Sequence, residues 1–183
     1  VGQENHINAR HVHRLGVWVE GTMRWFDHPS WHVAMDCNMD TGTCEIGARN
    51  DEIGVHVSLH DIVYNEKNVF LRRITVANKW DRAREIKVFM GQEFTISESK
   101  RGDTAYYDPR CRAVIHYKGQ RAFLINAMHG DRAFDDYGVG LFQIEGKEGS
   151  FMDADDGVLS KNPIEHGSVD SVLGMTLQLD ART

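Results

Sequence analysis

The sequence predicts an all-β fold of antiparallel strands, and three observations carry that expectation. The first is strict alternation. In Ile53-Gly54-Val55-His56-Val57-Ser58-Leu59-His60 the apolar side chains fall on odd positions, placing Ile53, Val55, Val57 and Leu59 on a buried face and His56, Ser58 and His60 on the other. The second is rhythm: short apolar runs are broken by turn residues every ~8–12 positions, as in a sandwich or barrel. The third is the lack of apolar residues sustained at i, i+3, i+4 and i+7 over three turns, so no substantial helix is expected.

In chain order, Val17-Trp18-Val19 and Met23-Arg24-Trp25-Phe26 form a hairpin about Glu20-Gly21. Strands follow over 31–35 and 44–49, then the alternating segment, then 69–77 and 85–97. Ala113-Val114-Ile115-His116-Tyr117 and Ala122-Phe123-Leu124-Ile125 make a second hairpin through Lys118-Gly119-Gln120, and 139–145 and 172–179 complete the set. Turns are expected at Asn50-Asp51 and over 65–68, 78–81 and 146–149. Connections this short imply antiparallel pairing, because parallel strands need long crossovers. The 183 residues read as one domain, 1–183. A domain of that size buries roughly 70% of its unfolded surface, so neither disulfides nor metals are needed for stability.

One segment escapes the strand rhythm. Residues 153–171, Asp153-Ala154-Asp155-Asp156-Gly157 through Asn162-Pro163-Ile164 to Gly167-Ser168-Val169-Asp170-Ser171, have neither strand nor helix periodicity. Structureless loops of this length are uncommon in compact domains and are usually functional or disordered. Asp-Gly, Asn-Pro and Gly-Ser punctuation fixes turns, while Val158, Leu159, Ile164 and Val169 tack the segment down. An ordered functional loop is the expectation.

Composition narrows the function classes. The net charge is -6, from 21 basic and 27 acidic residues without a long single-sign run, which argues against a nucleic-acid partner. No apolar stretch approaches a membrane span. Cys37, Cys44 and Cys111 are an odd set. Although Cys37 and Cys44 could face each other across a hairpin, free thiols in a reducing cytoplasm are the expectation. Val1-Gly2-Gln3-Glu4-Asn5-His6 reads like the middle of a longer sequence, so further function is expected outside these residues.

The residues that could carry chemistry are few. His6, His11 and His13 have the His-x-His spacing of metal sites on β-strands. Arg10 and Arg14 oppose a cation there, however, so neither metal nor cofactor is expected, and a cupin-type metalloenzyme is the weaker rival. Asp153, Asp155, Asp156 and Asp170 are the one dense acidic group. A glycosidic bond is usually cleaved between two carboxyl groups, but this spacing beside Gly157 suits turn-capping side chains better. Trp18, Trp25, Trp31 and Trp80 are expected in the core, whereas Tyr106 and Tyr107, next to the Asp108-Pro109 turn, are expected to be exposed at a strand end. Nucleophile elbows, glycine-rich phosphate loops and Cys-x-x-Cys are missing.

Five segments in order resemble the N-terminal domain of glycoside hydrolase family 15, the prokaryotic glucoamylase, glucodextranase and trehalase group. They are Gly2-Gln3-Glu4-Asn5-His6; Arg72-Arg73-Ile74-Thr75-Val76-Ala77-Asn78; Arg84-Glu85-Ile86-Lys87-Val88-Phe89; Gly102-Asp103-Thr104-Ala105-Tyr106-Tyr107-Asp108-Pro109, continuing at Ala113-Val114-Ile115-His116-Tyr117-Lys118-Gly119; and the loop from Asp155-Asp156-Gly157 to Ser171. The family's short aromatic-proline segment before the first motif is absent here. The resemblance implies a galactose-mutarotase-like antiparallel super-β-sandwich, clipped at its ends, that precedes an (α/α)₆ barrel. It further implies a parent enzyme that inverts configuration while releasing glucose from α-glucans or α-glucosides, with both catalytic glutamates in the barrel. That barrel is absent from this sequence, so no residue here is assigned as catalytic. The partners implied are the protein's own barrel and its substrate. Gln3, Glu4, Asn5, His6, Tyr106, Tyr107, Asp155, Asp156, Asn162 and Ser168 are then the candidate docking or pocket-edge residues, with turn-holding as the alternative role. A stand-alone carbohydrate-binding module is the rival reading.

Overall fold

The computed structural model describes residues 13–38, 40–96 and 101–183. Gln3, Glu4, Asn5, His6 and His11 lie outside the described residues. The strands are β1 (His13–Val19), β2 (Thr22–Trp25), β3 (His32–Asn38), β4 (Thr43–Asn50), β5 (Val55–Tyr64), β6 (Val69–Asn78), β7 (Arg84–Glu93) and β8 (Asp103–Asp108). They continue with β9 (Ala113–Lys118), β10 (Arg121–Ile125), β11 (Met128–His129), β12 (Arg132–Ala133), β13 (Asp136–Leu141), β14 (Ile164–Gly167) and β15 (Val169–Leu179). Short 3₁₀ turns at Asn65–Lys67 and Ser150–Asp156 are the named helical elements. The fold is therefore all-β, and every strand pair with a described register is antiparallel.

The chain divides into two compact units. In the first, residues 13–25 and 86–177, a five-stranded sheet in the order β13-β15-β7-β1-β2 faces a four-stranded sheet in the order β10-β9-β8-β14. Alternation drives this sandwich. Leu15, Val17 and Val19 of β1 are buried, and Ala105 and Val114 of the smaller sheet pack with Phe134, Val139, Val169 and Leu173. Each large aliphatic side chain buried here contributes about 1.5–3 kcal/mol. The core is not wholly apolar. His116 shares a 2.8 Å hydrogen bond with the Ser171 hydroxyl, which donates to Gln92 Oε1. All three are almost fully buried, and burial pushes the His116 imidazole down to about 3.

The second unit, residues 26–85 and 178–183, is a meander in the order β3-β4-β5-β6. Ile53, Val55, Val57 and Leu59 are all buried, while Ser58 and His60 are exposed. Both expected asparagine turns form. Buried Asn50 accepts hydrogen bonds from the Glu52 and Ile53 amides. Asn78 accepts from the Trp80 amide and the Arg84 guanidinium, and donates to the Arg82 and Asp180 carbonyls. Arg84 then donates to the Ile53 and Gly54 carbonyls while stacking on the Trp80 ring at 4.2 Å. Gly54 has φ +60, and a Cβ there would lie 2.0 Å from the Trp80 indole nitrogen, so both backbone and packing require glycine.

Three expectations are corrected. The free-thiol reading fails for Cys37 and Cys44: the β3–β4 register sets them directly opposite, Cα atoms 4.1 Å apart, and a disulfide joins them. Only Cys111 is a free cysteine among the described residues. Segment 153–171 is ordered, as expected, but it is not without regular structure. It begins in the Ser150–Asp156 turn, continues as β14 on the edge of β8 and enters β15 at Val169. Leu159 and Val169 are buried anchors, whereas Val158 and Ile164 are exposed. The strand rhythm is hidden because buried Asp170 and Ser171 occupy positions that a pattern search reserves for apolar residues. Finally, the strands expected over 85–97 and 139–145 run instead as Arg84–Glu93 and Asp136–Leu141.

Candidate functional site

Among the described residues, the candidates singled out in the sequence are distributed over three places in the first unit. Tyr106 lies within β8, paired with Ile164 of β14 and Ile115 of β9, and sets its ring edge-on to Tyr117. Tyr107 points the other way, into the sandwich, where it stacks on Tyr137 at 4.1 Å and packs edge-on against Phe134. Both tyrosines thus sit inside a strand and not at its exposed end, because pairing to β9 runs past them to Asp108. Asp155 and Asp156 are exposed on the 3₁₀ turn, and Asp156 accepts from the Val158 amide in a turn of its own.

Asn162 and Ser168 hold backbone together. The Asn162 side chain donates to the Val139 carbonyl and its own carbonyl accepts from the Val139 amide, zipping the loop onto β13. Buried Ser168 donates its hydroxyl proton to the Phe142 carbonyl at 2.7 Å. These contacts give both residues a structural task at the margin of the loop that follows β13.

That margin holds the site the sequence did not reveal. On the sheet face away from the sandwich core, Glu93 of β7 is only 4% exposed and accepts a 2.6 Å hydrogen bond from Arg14 Nε of β1. The Arg14 guanidinium lies over the Phe151 ring at 4.4 Å. Asp170 of β15 is 1% exposed, and both of its carboxylate oxygens accept from the Ser150 amide. Burial pushes the Asp170 carboxyl up to about 7, opposed by the hydrogen bonds from Ser150 and reinforced by the Glu93 charge. The expected capping role of Asp170 is therefore replaced by a buried strand position whose carboxylate ties down a turn twenty residues away in sequence. Glycine makes room for this. A Cβ at Gly140 would lie 3.2 Å, and one at Gly149 2.7 Å, from the Asp170 carboxylate.

Beside this cluster opens a groove of about 550 Å³ lined by Arg14, Phe151 and the loop 142–148. Its loop is bent by positive φ at Gln143 and Glu145, besides Gly146 and Gly149. Non-glycine residues held in this region cost roughly 1–2 kcal/mol each. A second surface lies on the opposite sheet. Ile164, Tyr106, Ile115 and Leu124 stand side by side across four strands, facing away from the core, and Ile164, Leu124 and neighbouring Tyr117 are 56%, 61% and 39% exposed.

No family model matches the chain. Over 162 residues it is 22% identical to a protein of Methanocaldococcus jannaschii named "Uncharacterized glycosyl hydrolase MJ1610". The alignment covers 87% of this chain and 25% of that protein, so the chain spans about a quarter of the relative's length. The similarity points to a glycosyl-hydrolase-related domain. Among the described residues no group of three or more His, Cys, Asp or Glu is placed to hold a metal ion. Among the described residues no helix is long and apolar enough to cross a membrane.

Proposed function

We propose that this chain is a non-catalytic β-sandwich domain of a longer glycoside hydrolase, one of the family 15 type that releases glucose from α-glucosides with inversion. The observation that carries the reading is the similarity to a glycosyl hydrolase along nearly all of this chain but a quarter of that protein. The buried acids support it. Asp170 has the raised proton affinity a general acid needs, yet it is sealed under Ser150, and its neighbour Glu93 is held by Arg14. Neither can reach a glycosidic oxygen. In this reading the acid and base come from the rest of the protein, in an (α/α)₆ barrel.

The row Ile164-Tyr106-Ile115-Leu124 is the docking face for that barrel. Solvent-exposed aliphatic side chains aligned across a whole sheet are uncommon on a finished surface, and this row includes Tyr106 of the tyrosine pair singled out in the sequence. The test is association in trans. The chain and the remainder of its parent, produced separately, are expected to co-sediment, and Leu124→Glu or Ile164→Glu should abolish this. Both side chains are more than half exposed, so the variants are expected to fold with an unchanged melting temperature. Association unaffected by either charge would remove the docking face from the account.

A further inference from the structure

We infer that the groove beside the 142–149 loop is a binding subsite for an uncharged saccharide. This rests on the hydrolase-domain reading for its choice of sugars, but not for the existence of the site. The volume, about 550 Å³, falls within the ~300–1,000 Å³ of small-molecule sites. The lining sets the ligand chemistry. Phe142, Ile144 and Phe151 supply apolar surface for the C–H faces of a pyranose ring. Arg14 and Lys147 offer donors, Glu145 and Glu148 acceptors, and Gln143 both. With charges of both signs around the rim, an anionic ligand meets Glu145 and Glu148, and a cationic one meets Arg14 and Lys147. A neutral polyol, whose hydroxyls donate and accept in turn, satisfies both sets.

The walls are fixed in advance of binding. Glu93, nine-tenths buried or more, clamps Arg14 through Nε, and the Phe151 ring stacks against the same guanidinium. Asp170 ties the Ser150 amide, anchoring the loop's far end, and the Ser168 hydroxyl and carbonyl hold Phe142 at its near end. Between these anchors the backbone takes positive φ at Gln143, Glu145, Gly146 and Gly149. Ordering costs for a ligand are smallest where the protein has already met them.

Titrating the ¹⁵N-labelled chain with maltose, isomaltose and trehalose tests the site, with glucuronate and glucosamine as charged comparisons. The expected result is saturable, millimolar-range shifts of the 143–148 amides with at least one neutral disaccharide. Glu148→Ala should weaken them roughly tenfold, the effect of about one lost hydrogen bond to a charged group. Because Glu148 is exposed, that variant keeps its fold; Arg14→Met should abolish binding but also removes the guanidinium that holds buried Glu93, so Glu148→Ala decides. The inference is overturned if no neutral sugar shifts these amides, if the shifts map to Tyr106 and Tyr117 instead, or if a charged sugar binds more tightly. A chain that binds sugar but fails to associate with its parent would leave the groove standing and remove the docking reading.

Discussion

Asp170 and His116 are buried on opposite faces of the five-stranded sheet's neighbourhood, and burial acts on them in opposite directions. A carboxyl raised to about 7 keeps its proton in the folded chain while the unfolded chain has lost it near pH 4, so its contribution to stability falls as pH rises from about 4 to about 7. A histidine lowered to about 3 stays neutral when folded while the unfolded chain takes a proton below about 6.5, so its contribution falls as pH drops from about 6.5 to about 3. Each slope is about 1.4 kcal/mol per pH unit. Over pH 4.5–6 the two oppose each other, and His56, which burial also lowers, adds to the histidine trend. Asp108, held at about 2 by its hydrogen bonds from Arg110, titrates below that window. Urea unfolding across this range checks the claim. Asp170→Asn should make stability rise with pH, and His116→Gln should make it fall with pH. Parallel wild-type and variant profiles would show that neither group titrates as described.

At the scale of single elements, two hairpins carry sharp predictions. The Cys37–Cys44 bond closes a loop of eight residues, for which the chain-entropy model gives about 2.5 kcal/mol. Reductant, or Cys37→Ser, should therefore lower the melting temperature of the β3–β6 unit by several degrees. Gly54→Ala should cost about 2–4 kcal/mol, since it both strains a left-handed backbone and drives a methyl group into Trp80. Near-normal stability of that variant would mean the indole has another position. These elements also mark what the sequence made legible. β5 was readable over Val55–His60, where one face is buried and imposes period two, but not over Asp61–Tyr64, where the burial alternation stops. The hairpins 17–25 and 113–125 were readable through Gly21 and Gly119, both at positive φ. β14 and the start of β15 were not. Edge strands carry polar residues on both sides, and a buried Asp170-Ser171 pair breaks the apolar alternation. The groove was hidden for a related reason: Arg14, Glu93 and Asp170 come from three distant segments, and only sheet order β15-β7-β1 makes them neighbours.

For the molecule as a whole, the division of labour follows from where polar groups are spent. In the first unit, buried acids, glycines and Ser168 are committed to fixing loops, which leaves an exposed aliphatic row and a mixed-polarity groove as surfaces with chemistry to offer. In the proposed reading, a domain built this way holds and presents, and cleavage falls to the rest of its parent. The most direct test is a glucose-release assay on maltose, isomaltose and trehalose, with the purified chain alone and with the same chain joined to the remainder of its parent. The account predicts no release by the chain alone and release by the whole protein. Glucose released by the chain alone, and lost in Asp170→Asn or Glu93→Gln, would contradict it.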